Sequence, residues 1–135
     1  MSETFNSEMF ERLTDIPLGM YAVNLVKSGS LPPDCLNYFK ANARRWDGQH
    51  LECGLYFLSK IGSTDANHEI ANHIDHPLKH IRYTVLGMLN DMRPLDDYMF
   101  MKLCERLLIK ACEFEAEWVE RLSEKARIPK DDEHP

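Results

Sequence analysis

Proline and glycine residues divide this chain of 135 residues into segments of helix length, and this punctuation limits the folds open to it. Proline favours the first turn of a helix, and glycine favours the position just after the last turn. The predicted helices run from Asn6 or Ser7 to Leu13, from Pro17 to a stop at Gly29, over 34–45, 47–61, 64–75 and 77–92, and over 95–127 as one helix or as two that break near 111–113.

The apolar composition favours the same fold class. Sixteen leucines and seven methionines stand against four valines, and unbranched side chains lose less rotamer freedom in a helix than β-branched ones do. We therefore predict an all-α protein, a compact bundle or short α-solenoid of seven to eight helices. Residues 1–128 are expected to form a single helical domain, and 129–135 a flexible C-terminal tail.

The stretch HEIANHIDHPLKH, residues 68–80, holds four histidines and suggests a metal site. Helical periodicity predicts that Ala66, Ile70 and Ile74 are buried, so His68, Asn72 and Asp75 point to solvent or a partner. The spacing is HExxxH rather than the HExxH of zinc peptidases, and it turns His68 and His73 about 140° apart on a helix. We expect no metal or other cofactor, and helix-end roles for these histidines.

Acidic residues form two further candidate surfaces. Glu113, Glu117, Glu120 and Glu124 fall within about 60° of one another on an ideal helix, while Phe114, Trp118 and Leu122 take the other side. Asp96, Asp97 and Tyr98 form a second cluster at a predicted helix start, where carboxylates also cap free amides. Each group is either a partner-binding surface or ordinary helix chemistry.

Catalytic motifs are missing from the sequence. It contains no GxSxG, no phosphate-binding glycine loop and no HExxH. Cys53 follows His50 by three residues, but a nucleophilic pair also needs an orienting group and an oxyanion site. We predict that the protein is not an enzyme.

Charge and cysteine usage indicate the kind of partner and the compartment. The formal net charge of −6 lacks the positive footprint that nucleic acid needs and suits a basic protein. The four cysteines show no CxxC spacing, as expected for free thiols in a reducing cytoplasm. We expect no signal peptide and no membrane span, hence a cytoplasmic protein whose oligomeric state is open.

The segment HPLKHIRYTVLGML resembles the second half of a HEAT-type repeat, through Pro77, Ile81, Arg82, Leu86 and Leu89. About thirty residues earlier, HLECGLYFLSKIG has a similar rhythm, with Glu52 in place of the arginine. The resemblance implies two stacked units, 47–61 with 64–75 and 77–92 with 95–111, and protein binding rather than catalysis.

In size, acidity, helical class and lack of catalytic motifs, the chain is similar to the immunity proteins of bacterial toxin–immunity systems, including contact-dependent growth inhibition. This resemblance implies a non-catalytic bacterial protein that covers the active site of a basic toxin, such as a nuclease. Two alternatives stay open: a HEAT-like adaptor or scaffold module, and a metal-dependent hydrolase that uses the histidines of 68–80.

Overall fold

A computed structural model describes residues 5–29, 34–46, 48–108 and 113–130, except the side chains of residues 34, 113 and 114. The described residues form eight α-helices and one 3₁₀ turn, and they contain no strand. The helices are α1 (Ser7–Arg12), α2 (Asp15–Lys27), α3 (Asp34–Asn42) with a 3₁₀ turn at Ala43–Arg45, α4 (Gln49–Ile61), α5 (Thr64–Ala71), α6 (Lys79–Asp91), α7 (Asp97–Leu107) and α8 (Glu113–Lys125). The protein is all-α, as predicted.

Local sequence signals account for several helix ends. Asn6 caps α1 by accepting a hydrogen bond from Met9 N at 3.0 Å, and Ser63 accepts one from Ala66 N at 3.1 Å. Gly62 ends α4 in the left-handed conformation, with φ of 70°. This conformation is strained for residues with a side chain, so a glycine at this position favours the end of the helix, as predicted.

The fifth helix ends earlier than predicted. Instead of reaching residue 75, α5 ends at Ala71, and the amides of His73, Ile74 and His76 bond to carbonyls three residues back. Pro77 accounts only for the last residue of the difference, because proline disfavours the helical conformation of the residue just before it, His76. Likewise, the predicted helix over 34–45 becomes α3 followed by the tighter 3₁₀ turn.

Contacts divide the chain into two compact units, Met1–Ala66 and Asn67–Pro135, with the boundary inside α5. The single domain over 1–128 stays a prediction, and residues 131–135 of the predicted tail lie outside the described residues. Among the described helices, none is both long enough and apolar enough to cross a bilayer.

In the first unit, the core is largely aromatic. Phe10, Phe39, Trp46 and Phe57 are each at most 6% exposed, and Phe39 stacks on Phe57 with ring centroids 5.3 Å apart. A Cβ on Gly54 would lie 3.4 Å from the Trp46 ring, so a small residue lets α4 approach it closely.

In the second unit, α6, α7 and α8 bury apolar side chains against one another. Buried residues include Ile81, Val85, Leu86 and Leu89 of α6, Leu103 of α7, and Val119 and Leu122 of α8. A main-chain hydrogen bond also links the start of α7 to the end of α8: Leu95 N, just before α7, donates to Ala126 O, just after α8, at 2.7 Å. This packing fixes the exposed face of α8. The HEAT-type pairing of these helices stays a prediction.

Candidate partner-binding surface

The exposed face of α8 carries a row of glutamates. Glu117, Glu120 and Glu124 are exposed, whereas Val119 and Leu122 on the opposite side are each 1% exposed. This is the division of faces that helical periodicity predicts. The side chain of Glu113, the fourth predicted member, lies outside the described residues. We call Glu117, Glu120 and Glu124 the glutamate stripe.

The charge of the glutamate stripe is not neutralised within the described parts of the chain, where none of its three carboxylates forms an ion pair. Other acids of the same unit do have cationic partners. Asp97 Oδ1 lies 2.7 Å from Arg127 Nη1, and Asp91 contacts Lys130. The stripe is therefore open to a cation from another molecule.

A pair of aromatic side chains joins α8 to α6. Trp118, which the sequence places on the core side, is half-buried, and its ring centroid lies 5.3 Å from that of Tyr83 on α6. This contact packs α8 against α6.

A buried ion cluster anchors α8 beneath this face. Glu115 is 1% exposed and accepts hydrogen bonds from Arg82 of α6 at 2.9 and 3.0 Å and from Arg106 of α7 at 2.8 Å. Burial raises the pKa of this carboxyl, but the two guanidinium groups outweigh burial and hold the pKa below its ordinary value. One carboxylate therefore ties together three helices.

Sequence reasoning missed Glu115 and its arginines as a unit. A signal for its burial was present, because Glu115 falls among Val119, Leu122 and Ala126 on a helical wheel. A buried carboxylate requires a partner. Which arginines would serve could not be read from the sequence, because Arg82 and Arg106 lie on other helices.

Four of the predicted partner-binding residues contact one another. His68 Nε2 lies 2.6 Å from Asp96 Oδ2, and the His68 ring stacks on Tyr98 with centroids 4.4 Å apart. The Tyr98 hydroxyl donates to Asn72 Oδ1. The sequence placed these residues in two separate groups, and the fold joins them in one polar cluster.

Asp96 also performs the capping role that was its alternative interpretation. Its Oδ1 accepts a hydrogen bond from Met99 N at 2.9 Å at the start of α7. Partial burial raises the pKa of Asp96, but hydrogen bonds from Met99 N–H and His68 bring it below its ordinary value. Asp75, the last member of the predicted set, lies 3.6 Å from Arg106 Nη1. Partner binding by these residues stays a prediction, but each now has an internal contact.

The other histidines of 68–80 diverge. His73 Nε2 lies 3.4 Å from Glu69 Oε1 one turn earlier, His76 Nδ1 accepts from Leu78 N at 3.0 Å just before α6, and His80 is exposed. Among the described residues, no three His, Cys, Asp or Glu side chains converge as metal ligands.

The Cys53–His50 pair does not form an activated thiol. His50 Nε2 lies 3.1 Å from the carbonyl oxygen of Phe10. Burial, together with the charge of Glu52, raises the pKa of Cys53 to about 11. A thiol with this pKa is protonated at neutral pH and is a weak nucleophile.

Comparison with known proteins gives no relative: no family model, no curated protein and no solved structure matches this chain. The geometry of the surface is therefore the basis for a functional proposal.

Proposed function

We propose that this protein is a non-catalytic binding domain that neutralises a basic protein, such as a toxic nuclease, by covering its active site with the glutamate stripe. This is the role that the resemblance to immunity proteins implies. The observation that carries the proposal is the row of three exposed carboxylates that form no ion pair among the described residues, on a helix anchored by a buried ion cluster.

The anchoring matters because a binding surface gains affinity when it is ordered before the partner arrives. Glu115 and the buried side chains of Val119 and Leu122 hold α8 in place. The stripe therefore presents its charges on a rigid element, and only the glutamate side chains lose freedom on binding.

The stripe places three negative charges in one row along the helix. Successive carboxylates at 117, 120 and 124 are separated by about 4.5 and 6 Å along the helix axis. A row of carboxylates of this density can occupy the cationic groups that normally receive a nucleic-acid backbone. Complementary charge would mainly speed association and fix orientation.

The experiment is capture of partners by the tagged full chain, washed at low and at high salt, followed by an activity assay of the captured protein. We expect one basic protein, bound near stoichiometrically, that loosens with salt and loses its activity when bound. The test variant is Glu117→Lys/Glu120→Lys/Glu124→Lys.

A matched control separates position from overall charge. Glu8, Asp65 and Glu105 are exposed acids on helices other than α8. Replacing these three acids with lysine changes the formal net charge from −6 to 0, because each replacement adds two units. Replacing the three stripe glutamates with lysine has the same effect on the net charge. We expect capture to fail only for the stripe variant. Equal weakening in both variants, or full binding by the stripe variant, would contradict the proposal.

A further inference from the structure

Helix α2 has two apolar faces, and only one of them is covered. Leu18, Ala22 and Leu25 are at most 2% exposed and pack into the core of the first unit. On the opposite side, Ile16 is 75% exposed, Met20 60% and Val23 40%. The three exposed side chains fall at i, i+4 and i+7, so they form a continuous stripe along the helix.

The residues of this apolar stripe line a shallow, open groove. It has a volume of about 660 Å³, and Gly19 and Gln49 contribute to its lining. A Cβ built on Gly19 meets nothing within 4 Å, so another chain can approach the α2 backbone closely at this point. Exposed apolar side chains beside a groove, with a glycine that leaves the helix backbone accessible, are typical of a surface that packs against a second helix.

The end of the groove is held in place. Asp15 has a φ of 54°, a left-handed conformation that costs energy for a residue other than glycine. The Gln49 side chain accepts a hydrogen bond from Asp15 N at 2.5 Å and donates one to Asp15 O at 2.6 Å. These two bonds fix the first residue of α2 relative to α4.

Charges of opposite sign stand at the two ends of the stripe. Asp15 is exposed at the start of α2, and exposed Lys27 continues the stripe at i+11. Neither side chain has an ion-pair partner among the described residues. A negative end, an apolar centre and a positive end form a pattern that is complementary to itself in antiparallel orientation.

We propose that this face of α2 pairs with the same face of a second copy of the chain, antiparallel and about a two-fold axis. Met20 of each copy then faces Val23 of the other, and Asp15 lies beside Lys27 of the other at both ends. A two-fold interface requires such a self-complementary patch. The inference is independent of the proposed neutralising function.

The interface is small, so the dimer is weak. One pair of short helices buries less than the roughly 1,200 Å² at which stable interfaces begin. We therefore expect a dissociation constant on the order of 10–1,000 µM. Sedimentation equilibrium of the full chain across this concentration range should show reversible monomer–dimer exchange.

Met20→Glu tests the centre of the interface. It places a charge in the apolar stripe and should raise the dissociation constant at least about ten-fold. Met101 is also a solvent-facing methionine, 49% exposed on α7, so Met101→Glu is the matched control and should leave association unchanged. Circular dichroism checks that both variants stay folded.

A charge swap tests the orientation. Asp15→Lys and Lys27→Asp should each weaken the dimer, since each places like charges together at both ends. The double variant Asp15→Lys/Lys27→Asp restores opposite charges and should associate more tightly than either single variant.

Three results would overturn the proposal. The first is a wild-type protein that keeps the mass of one chain, 15.7 kDa, at every concentration. This result counts against the dimer even if the monomer binds a foreign helix or a vesicle through Met20. The second is an equal effect of Met20→Glu and Met101→Glu. The third is a double charge variant no tighter than the single variants.

Discussion

Glu115 and Glu117 lie two positions apart on α8 in opposite environments. Glu115 is buried between two arginines, whereas Glu117 is exposed and carries part of the proposed binding surface. Both are glutamates, so their difference in role follows from position on the helix rather than from chemistry. The buried residue is expected to act on stability and the exposed one on binding.

Glu115→Gln should lower the free energy of unfolding by about 3–5 kcal/mol, because it leaves two guanidinium groups with poor access to water facing a neutral side chain. Arg106 is 9% exposed and Arg82 16% at their side chains, so water cannot replace the lost carboxylate fully. Urea unfolding followed by circular dichroism measures the change.

Glu117→Gln is the matched control for Glu115→Gln, since it makes the same substitution on the same helix at an exposed position. Its unfolding free energy should stay within about 0.5 kcal/mol of the wild type. If the two variants are equally stable, the buried cluster does not hold the three helices together.

At the scale of elements, α8 is not optimised for its own stability. Glu124 lies in the last turn, where the negative end of the helix dipole disfavours a carboxylate. It also follows Glu120 by four residues, a spacing at which like charges repel. An unfavourable charge pattern on a surface helix is expected when the charges serve binding.

Glu124→Lys should therefore raise the unfolding free energy by about 0.5 kcal/mol, since the gains at the helix dipole and toward Glu120 exceed the lost attraction to Arg121 three residues earlier. Glu117→Lys is the comparison. It gains attractions to Glu113 and Glu120 and loses one to Arg121, but it gains nothing at the end of the helix dipole, so its effect should be smaller. Thermal unfolding of both variants measures the difference. A less stable Glu124→Lys protein would show that the stripe contributes to folding.

Elements were predictable where their signals are local. Asn6 and Gly62 mark helix ends through their own backbone and neighbouring amides, and both could be read from the sequence. The exposed side of α2 was missed, although Ile16 and Met20 lie opposite the buried residues on a helical wheel. Which of the two apolar faces of α2 becomes buried depends on packing partners that are distant in sequence.

The candidate site was partly predictable for the same reason. Helical periodicity correctly predicted that Glu117, Glu120 and Glu124 are exposed, because the period of a single helix is enough to assign its buried and exposed faces. The contact of His68 with Asp96 joins residues 28 positions apart. Such a contact requires the tertiary arrangement of α5 and α7, which no pattern within either segment specifies.

At the scale of the whole molecule, ionisable groups in both units tie stability to pH. Burial raises the pKa of Glu11, yet hydrogen bonds from Tyr38, Arg45 and Trp46 lower it below its ordinary value of 4.5. Asp96 and Glu115 also have lowered pKa values. On the alkaline side, burial and the Glu11 hydrogen bond raise the pKa of Tyr38 to about 12.

The free energy of unfolding should consequently fall at both extremes of pH. Below the ordinary carboxyl pKa values of 4.5 and 3.8, the unfolded chain binds more protons than the folded one, so acid favours unfolding. The stabilisation is complete above those values and is lost as the folded pKa values are passed. Urea unfolding from about pH 3 to 10 should show a falling acid limb.

The alkaline limb has the opposite sign, and Cys53 contributes to it at lower pH than Tyr38 does. Cys53 has an ordinary pKa of 9.0 and a folded pKa of about 11, so between these values the unfolded chain loses a proton that the folded chain keeps. Its contribution is complete below pH 9 and declines above it. Cys53→Ala removes this group and should flatten the slope of stability against pH above pH 9, with the acid limb unchanged. An unchanged alkaline slope would mean that the Cys53 thiol ionises in the folded protein as easily as in the unfolded chain, and would reopen Cys53 as a reactive thiol beside His50.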